Sequence, residues 1–264
     1  MAGRRADVEL VERGLFTSRE RARAAILAGE VKADGVRIEK AGHPLSAEAV
    51  VEVAERQRFV SRGGHKLEAA LDAFGVDVAG LRAIDVGAST GGFTDCLLQH
   101  GASSVVALDV GYGQLAWSLR TDPRVTVVER TNVRAADMEA LGAPFDIAVI
   151  DVSFIALDRV LPKLLEAVGD DGQVIALVKP QFEAGKGRVG KKGVVRDAVV
   201  HEDVLSGVVA AIEGAGRIVL GATFSPLKGP EGNIEFLVWF GLQGEPARVT
   251  PADVVRAAHE ALGV

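Results

Sequence analysis

From about residue 67 to the end, short apolar runs alternate with stretches of helical periodicity. Short apolar runs are typical of buried strands, and apolar positions three or four apart are typical of helices. The predicted strands cover residues 81–85, 104–109, 125–128, 145–151, 172–178, 217–224 and 233–240. The predicted helices cover residues 67–74, 114–119, 137–141, 157–168 and 201–213, and two more begin at residues 93 and 251. This alternation predicts a doubly wound, Rossmann-like α/β sheet of seven strands, with the last two paired as a hairpin.

The first 55 residues carry a different pattern. A short helix is predicted over residues 7–13. A second helix begins at Thr17, where Glu20 completes a capping box, and ends at Gly29. Asp34-Gly35, between two short apolar runs, is a strong signal for a two-residue hairpin. These signals predict a small α+β domain over residues 1–55, a basic linker over residues 56–66 and the α/β domain over residues 67–264.

The loop after the first strand of the α/β domain predicts a nucleoside site. Gly87, Ser89 and Gly92 stand where a dinucleotide fingerprint has its three glycines, so the middle glycine is missing. No Gly-Lys-Ser/Thr follows, which argues against a phosphate loop. A nucleoside without a demand for phosphate remains, and S-adenosylmethionine fits. Asp85 at the strand end is predicted to meet the ammonium group of this cofactor.

Other strand ends complete the predicted cofactor site. Asp109 follows Asp85 by 24 residues, about where a carboxylate binds ribose hydroxyls. Asn132 could reach an adenine edge, and a turn asparagine is an equally good interpretation. The remaining cofactor candidates are Gly87, Ser89, Thr90, Gly91, Gly92, Phe93 and Asp151.

Composition narrows the class of protein. The single cysteine, Cys96, excludes an internal disulfide and fits a reducing compartment. No uncharged apolar run approaches the length of a membrane span, and the first nine residues contain no hydrophobic signal core. A cytoplasmic protein is therefore expected. The histidines show no metal-ligand spacing, so no metal is expected.

The net charge of −6 conceals an asymmetry that bears on RNA binding. Residues 1–66 hold 13 Lys and Arg against 10 Asp and Glu, whereas the rest of the chain is strongly acidic. Grouped basic residues can bind RNA even when the total is acidic. The RNA-binding candidates are Arg4, Arg5, Ser18, Arg19, Arg23, Lys32, Arg62, Lys186, Arg188, Lys191 and Lys192. The alternatives are a solvated charged face and, after residue 179, a flexible loop.

Aromatic residues near the predicted rim of the sheet add to this picture. Tyr112, Trp117 and Phe154 could stack on a base. Core packing is favoured for Trp117.

Two lysines and two carboxylates are predicted at the same rim. Lys179 ends the fifth strand, and Pro180 keeps it out of a helix. Lys66 is the last residue of the predicted linker, Asp151 ends the fourth strand, and Glu235 lies in the last predicted strand. Burial and a second lysine favour the neutral amine, which could remove a proton from an alcohol. For each residue taken alone, a surface ion pair is the alternative.

The motifs resemble a known family. Residues 15–35 resemble the S4 RNA-binding module. Nearly the whole chain resembles the TlyA family of ribosomal RNA cytidine 2′-O-methyltransferases, which are FtsJ-like and also labelled haemolysins. The motifs that carry this resemblance span residues 61–66, 85–94, 109–117, 129–132, 151–155 and 177–183.

The resemblance implies a function and a set of catalytic residues. It implies methyl transfer from S-adenosylmethionine to cytidine 2′-hydroxyls of 16S rRNA, 23S rRNA or both. It also implies a catalytic tetrad of Lys66, Asp151, Lys179 and Glu235. Two alternatives stay open: a pore-forming haemolysin, and an RNA-binding ribosome assembly factor with an inert methyltransferase domain.

Overall fold

A computed structural model describes residues 3–54, 58–185, 187–247 and 250–263, without the side chain of Lys191. The chain divides into two compact units, Met1–Arg58 and Phe59–Val264. In these described ranges, no helix is both long and apolar enough to cross a membrane.

The smaller unit is an α+β fold with short strands. Its elements are β1 (Arg4–Arg5), α1 (Ala6–Glu12), α2 (Arg19–Ala28), β2 (Val31–Ala33), β3 (Val36–Arg37), β4 (Pro44–Leu45) and β5 (Val51–Val53). Strand β1 pairs with β4, and β2 lies between β3 and β5. Leu10, Ile26 and Ile38 pack in its core. Asp34 and Gly35 both have positive φ, so the predicted hairpin turn between β2 and β3 is confirmed.

The start of α2 differs from the prediction by one residue. Ser18, not Thr17, is the N-cap, because its backbone is extended and its Oγ accepts a hydrogen bond from Arg21 N at 3.3 Å. Gly29 ends the helix in the left-handed conformation, as predicted.

The larger unit contains the predicted seven-stranded sheet. Its strands are β6 (Arg82–Val86), β7 (Ser104–Leu108), β8 (Val125–Val128), β9 (Ile147–Ile150), β10 (Gln173–Val178), β11 (Ile218–Phe224) and β12 (Phe236–Gly241). The order is β11-β12-β10-β9-β6-β7-β8. Strand β12 runs antiparallel to both of its neighbours, and the other pairs are parallel. The fold class and the final antiparallel pair are confirmed.

Helices cover both faces of this sheet. They are α3 (Gly63–Phe74), α4 (Gly92–Gln99), α5 (Trp117–Arg120), α6 (Leu161–Val168), α7 (Pro180–Glu183), α8 (Ala198–Gly214) and α9 (Pro251–Leu262). The helix predicted over residues 137–141 is wrong: the chain forms turns there, with Asp137 Oδ1 bonded to Ala140 N and Gly142 left-handed. Met138 and Phe145 are the apolar anchors of this segment in the core.

Two apolar clusters hold the sheet. One contains Met138, Leu164 and Phe240, and the other contains Leu67 and Cys96. The buried strands form a scaffold whose carboxyl ends lie along one edge, which is where an α/β sheet binds its ligands.

Candidate active site and cofactor crevice

Two adjoining cavities lie beyond the carboxyl ends of the central strands. The first, about 300 Å³, is here called the lysine cavity, because Lys66 and Lys179 line it. The second, about 430 Å³, is called the Asp109 cavity after one of its wall residues. Both are lined by Gly87, Ser89, Asp151 and Ser153, so they form one crevice.

Two glycines of the loop, Gly87 and Gly91, fit their surroundings only because they have no side chains. Gly87 has φ +89°, and a Cβ there would lie 2.5 Å from the carbonyl oxygen of Asp151. Gly91, with φ +95°, would overlap Leu119. Gly87 lines both cavities, and Thr90, Gly92 and Phe93 line the lysine cavity. The loop can therefore place backbone directly against a ligand.

Asp85 lies beneath this loop and lines neither cavity. It is fully buried, and its Oδ2 accepts hydrogen bonds from Thr94 N at 2.9 Å and Thr94 Oγ1 at 2.7 Å. Burial raises the pKa of Asp85 to about 7, although the Thr94 bonds oppose this rise. Asp85 thus stabilises the start of α4 below the loop through its hydrogen bonds with Thr94. The sequence did not predict this role of Thr94.

Asp109 joins the glycine loop to the next strand end. Its Oδ2 accepts from Ser89 N at 2.7 Å, and its Oδ1 accepts from Gly111 N at 2.6 Å. Ser89 has a positive φ of 49°, a conformation that these contacts hold in place. Asn132 lines the same cavity while its side chain accepts a hydrogen bond from Arg134 N, so it is also a turn asparagine.

The Asp109 cavity suits a nucleoside. Leu108, Val133 and Ile155 supply apolar walls for a base, and the Asp109 carboxylate can accept hydrogen bonds from ribose hydroxyls. The adjoining glycine loop gives room for an amino-acid chain. The carboxylate acceptor and the apolar walls of the crevice therefore fit S-adenosylmethionine.

Residues that are far apart in the sequence meet in the lysine cavity. Lys66 lies on α3, Asp151 follows β9, Lys179 follows β10 and Glu235 precedes β12, and all four line this cavity. Lys66 Nζ is paired with Glu235 Oε2, and both residues are buried. Gly229 packs so closely on Glu235 that any Cβ would overlap the carboxylate. The absence of a side chain at Gly229 therefore leaves room for the Glu235 carboxylate beside Lys66.

Lys179 makes the second ion pair. Its backbone is extended at φ −111° and ψ 101°, as the following proline predicted. Its Nζ lies 2.5 Å from Asp151 Oδ1, without the angles of a hydrogen bond. Its Nζ also donates a hydrogen bond to Ser153 Oγ at 3.0 Å. The arrangement presents an amine, a carboxylate and a hydroxyl group to the cavity.

In the smaller unit, a buried carboxylate organises two of the RNA-binding candidates. Asp7 Oδ1 accepts from Arg5 Nε at 3.0 Å, and its Oδ2 accepts from Arg19 Nη2 at 3.0 Å. The Arg5 hydrogen bond is the main reason that the pKa of Asp7 is lowered to about 2. The two guanidinium groups remain about half exposed. A fixed cationic pair is therefore available to an anion.

The other basic candidates of this unit are arranged less closely. Arg4 is paired with Glu12. Arg23 and Lys32 are exposed, on α2 and β2. Ser18 serves as the helix cap, so its hydroxyl has a structural contact.

The basic candidates of the larger unit occupy separate places. Arg62 is exposed and lines the lysine cavity. Arg188 Nη2 lies 2.5 Å from Asp203 Oδ2, and Lys192 is exposed with a positive φ of 64°. Lys186 and the side chain of Lys191 lie outside the described residues.

Exposed aromatic rings stand beside the crevice. Phe154, 88% exposed, lines the Asp109 cavity, has φ +65° and packs on Phe182 at a centroid distance of 5.0 Å. Trp117 is 75% exposed, so the prediction that it packs in the core is wrong: the helix it begins buries Leu119 instead. Tyr112 is also exposed, with the Arg130 guanidinium 4.1 Å from its ring centroid.

Comparisons with known proteins agree with this geometry. Residues 59–242 match the FtsJ-like methyltransferase family, and residues 4–51 match the S4 domain. The chain is 47% identical over 260 residues to the 16S/23S rRNA (cytidine-2'-O)-methyltransferase TlyA of Mycobacterium tuberculosis, covering 98% of this chain and 97% of that protein. It is 40% identical over 237 residues to Hemolysin A of Brachyspira hyodysenteriae, covering 89% of this chain and 99% of that protein.

A solved structure has the same fold over the full length. A protein described as a candidate hemolysin from Streptococcus thermophilus matches with a TM-score of 0.76 and 43% identity, over 100% of this chain and 98% of that one. These matches confirm the resemblance that the sequence motifs indicated. The chain belongs to the FtsJ-like methyltransferase family, in the branch that carries an S4 domain and includes TlyA.

Proposed function

We propose that this protein transfers a methyl group from S-adenosylmethionine to the 2′-hydroxyl of cytidine in ribosomal RNA, either 16S, 23S or both. The observation that carries the proposal is the continuity of the crevice, in which the Asp109 cavity shares four of its lining residues with the lysine cavity. The name of the TlyA relative supplies the substrate class.

The cofactor is assigned to the residues that line the crevice. Asp109 would accept hydrogen bonds from the ribose hydroxyls, Asn132 and the apolar wall would hold the base, and the glycine loop would hold the amino-acid part. When bound, S-adenosylmethionine supplies a methyl carbon made electrophilic by the positive sulfur, which leaves as a neutral thioether.

Lys179 is assigned as the general base. Its neutral amine accepts the proton of the 2′-hydroxyl, and the oxygen electron pair that is released forms the new bond to carbon. Asp151 stabilises the ammonium that results, since its carboxylate is the ion-pair partner of Nζ. A base within the cavity removes the need for hydroxide from solvent.

The Lys66–Glu235 pair is assigned to the ribose. Glu235 Oε1 is buried and has no hydrogen-bond partner among the described residues, so Glu235 is assigned to holding Lys66 beside the ribose rather than to contacting the sugar itself. Lys66 Nζ carries two further N–H donors beyond its bond to Glu235. Holding the ribose in one orientation contributes to the rate because alignment is entropically costly.

The exposed rings are assigned to the RNA. A base lifted from a helix is commonly held by stacking on aromatic side chains. Phe154 is placed for this role, since it lines the crevice and its ring is accessible. Tyr112 and Trp117 provide further stacking surfaces for unpaired nucleotides.

The test is methyl transfer from labelled S-adenosylmethionine to isolated 30S and 50S subunits from a strain that lacks the gene. Lys179→Ala is expected to lower the rate at least 100-fold, because a positioned general base typically contributes about 10²–10⁴-fold. Lys163→Ala is the matched control, since Lys163 lies on α6 and pairs with Glu166 away from the crevice. Full activity of Lys179→Ala would overturn the assignment of the base.

The same preparations separate the alternatives. Binding of S-adenosylmethionine in a calorimeter excludes a domain that cannot bind cofactor, whereas lack of binding would favour an inert assembly factor. Lysis of red cells by the purified protein, unchanged by Lys179→Ala and without methyl transfer, would favour a haemolysin.

A further inference from the structure

We propose that Ser153 is a positioning residue that directs the amine of Lys179 towards the substrate hydroxyl. This inference rests on the proposed function and adds a fifth residue to the tetrad. The amine of Lys179 makes two contacts of different kinds. Among the described residues, Lys179 Nζ lies beside one carboxylate, that of Asp151, and donates one directed hydrogen bond, to Ser153 Oγ.

The contact with Asp151 fixes the distance but not the direction of the amine. At 2.5 Å the attraction between opposite charges is strong, yet the geometry is not that of a hydrogen bond. Coulombic attraction depends on separation and leaves the rotation about the Cε–Nζ bond free. The bond to Ser153 does depend on direction, because a hydrogen bond weakens steeply when its angle departs from linear.

Direction matters because a base acts through its lone pair. A neutral lysine amine has two N–H groups and one lone pair, arranged tetrahedrally with Cε. When one N–H is donated to Ser153 Oγ, rotation about the Cε–Nζ bond is restricted, and the lone pair must occupy one of the two remaining tetrahedral positions, both of which point away from Ser153. The side chain of Lys179 is only 11% exposed, so its methylene groups have little freedom to undo this orientation.

The backbone holds Ser153 in place for this task. Asp151 N donates to Val86 O at 3.0 Å, which ties the start of the segment to β6. Phe154 follows with a positive φ, an unfavourable conformation for an aromatic residue. Ser153, between these two fixed points, lines both cavities of the crevice. The hydrogen bond from Lys179 Nζ to Ser153 Oγ is therefore made by a side chain whose backbone is held on both sides.

The decisive experiment is Ser153→Ala in the full-length protein, assayed on 30S and 50S subunits across pH. The maximal rate at saturating cofactor and RNA is expected to fall roughly 10–100-fold, since misdirected groups cost about this much. The rising limb of the pH–rate profile is expected to move to lower pH, because the ammonium form of Lys179 loses a hydrogen-bond acceptor. Ser153→Thr keeps the hydroxyl group and should restore both the rate and the profile.

Two controls distinguish this role from others. Ser206→Ala, an exposed serine on α8, should leave rate and profile unchanged. If Ser153 instead contacts the RNA or the cofactor directly, Ser153→Ala will raise KM or weaken cofactor binding without moving the pH limb, and the proposal is wrong. An unaffected rate would also overturn it.

The Lys179→Ala variant, assayed in parallel, separates the two levels of inference. Loss of activity in Lys179→Ala with no effect of Ser153→Ala contradicts only the positioning role. Retained activity in Lys179→Ala contradicts the proposed base itself.

Discussion

Asp85 shows how a single buried group can serve the site without lining it. Its carboxylate lies at the end of β6, out of contact with solvent, and is held by Thr94 at the start of α4. Its other oxygen, Oδ1, has no hydrogen-bond partner among the described residues. Burial therefore dominates its electrostatics and raises its pKa to about 7.

Stability should depend on pH through Asp85. Between about pH 4 and 7 the folded protein binds a proton here that the unfolded chain releases, so stability is lost as pH rises through this window. Asp85→Asn retains an acceptor for Thr94 and has no charge to bury. Its free energy of unfolding, relative to the native protein, should therefore improve by on the order of 2 kcal/mol from pH 5 to pH 8.

Urea unfolding followed by tryptophan fluorescence measures this effect. Both tryptophans, Trp117 and Trp239, lie in the larger unit, so their fluorescence reports on the correct part of the chain. An unchanged difference between the two proteins at pH 5 and pH 8 would show that Asp85 is not protonated by burial.

Single residues were predictable where their surroundings in the sequence decide their position. Lys179 is an example, because an apolar run ends there and Pro180 excludes helix. Ser153 and Thr94 were not predictable, because their partners lie 26 and nine residues away and meet them only in the folded chain. The sequence does not show that the helix beginning at Trp117 has only four residues, which bury Leu119 and leave the Trp117 ring exposed.

At the scale of elements, a pair of histidines links α8 to α9. His201 Nδ1 lies 2.9 Å from His259 Nε2, so one nitrogen must carry the proton that the other accepts. His201 is fully buried and meets the ring of Phe236 edge-on. Burial, and then repulsion from His259, lower the pKa of His201 to about 4, while Asp197 opposes this.

This pair should make the α8–α9 contact sensitive to acid. The unfolded chain protonates His201 near pH 6.5, whereas the folded protein resists protonation down to about pH 4. The neutral His201 therefore makes its full contribution to the free energy of unfolding above pH 6.5. This contribution is lost as the pH falls from 6.5 towards 4, by up to about 1.4 kcal/mol per pH unit. His201→Phe should remove this part of the acid dependence, as measured by urea unfolding at pH 5 and pH 7.

The matched control is His43→Gln, an exposed histidine of the smaller unit. It should leave the acid dependence of the larger unit unchanged. A His201→Phe variant with the native slope between pH 5 and pH 7 would contradict the prediction.

Element boundaries followed the sequence where apolar periodicity was strong. Strand β8 has the predicted bounds, and β10 differs by one residue. Helix α3 begins at Gly63, four residues before its predicted start, so the end of the predicted linker is helical. In the structure Gly64 is buried, and a Cβ there would overlap Phe59, so close packing explains the glycine.

At the scale of the whole molecule, the two units differ in how far the sequence predicts them. In the larger unit strands and helices alternate along the chain, and this regular alternation makes each element easier to predict from its neighbours. The smaller unit has strands of only two or three residues, such as β1 and β3, which are too short for a periodic signal. Its resemblance to the S4 module was therefore a stronger guide than periodicity, and the domain match confirms it.

A final prediction concerns RNA binding by the anchored arginines of the smaller unit. Arg5 and Arg19 are each fixed by Asp7, so each can meet a phosphate with little loss of side-chain freedom. Arg5→Ala or Arg19→Ala should weaken binding of the full chain to ribosomal subunits. Each should also make the slope of log K against log salt shallower by roughly 0.7–0.9, because one phosphate contact is lost. Filter binding at several salt concentrations measures both effects.

Single substitutions are the sharper design, because Asp7 keeps one partner and does not become an unpaired buried charge. Arg256→Ala is the matched control, since Arg256 is an exposed arginine of α9 that pairs with Asp253. Its slope should equal that of the native protein. If Arg5→Ala and Arg19→Ala also keep the native slope, the cationic pair does not contact phosphate, and Arg23 and Lys32 become the contacts to test in the same assay.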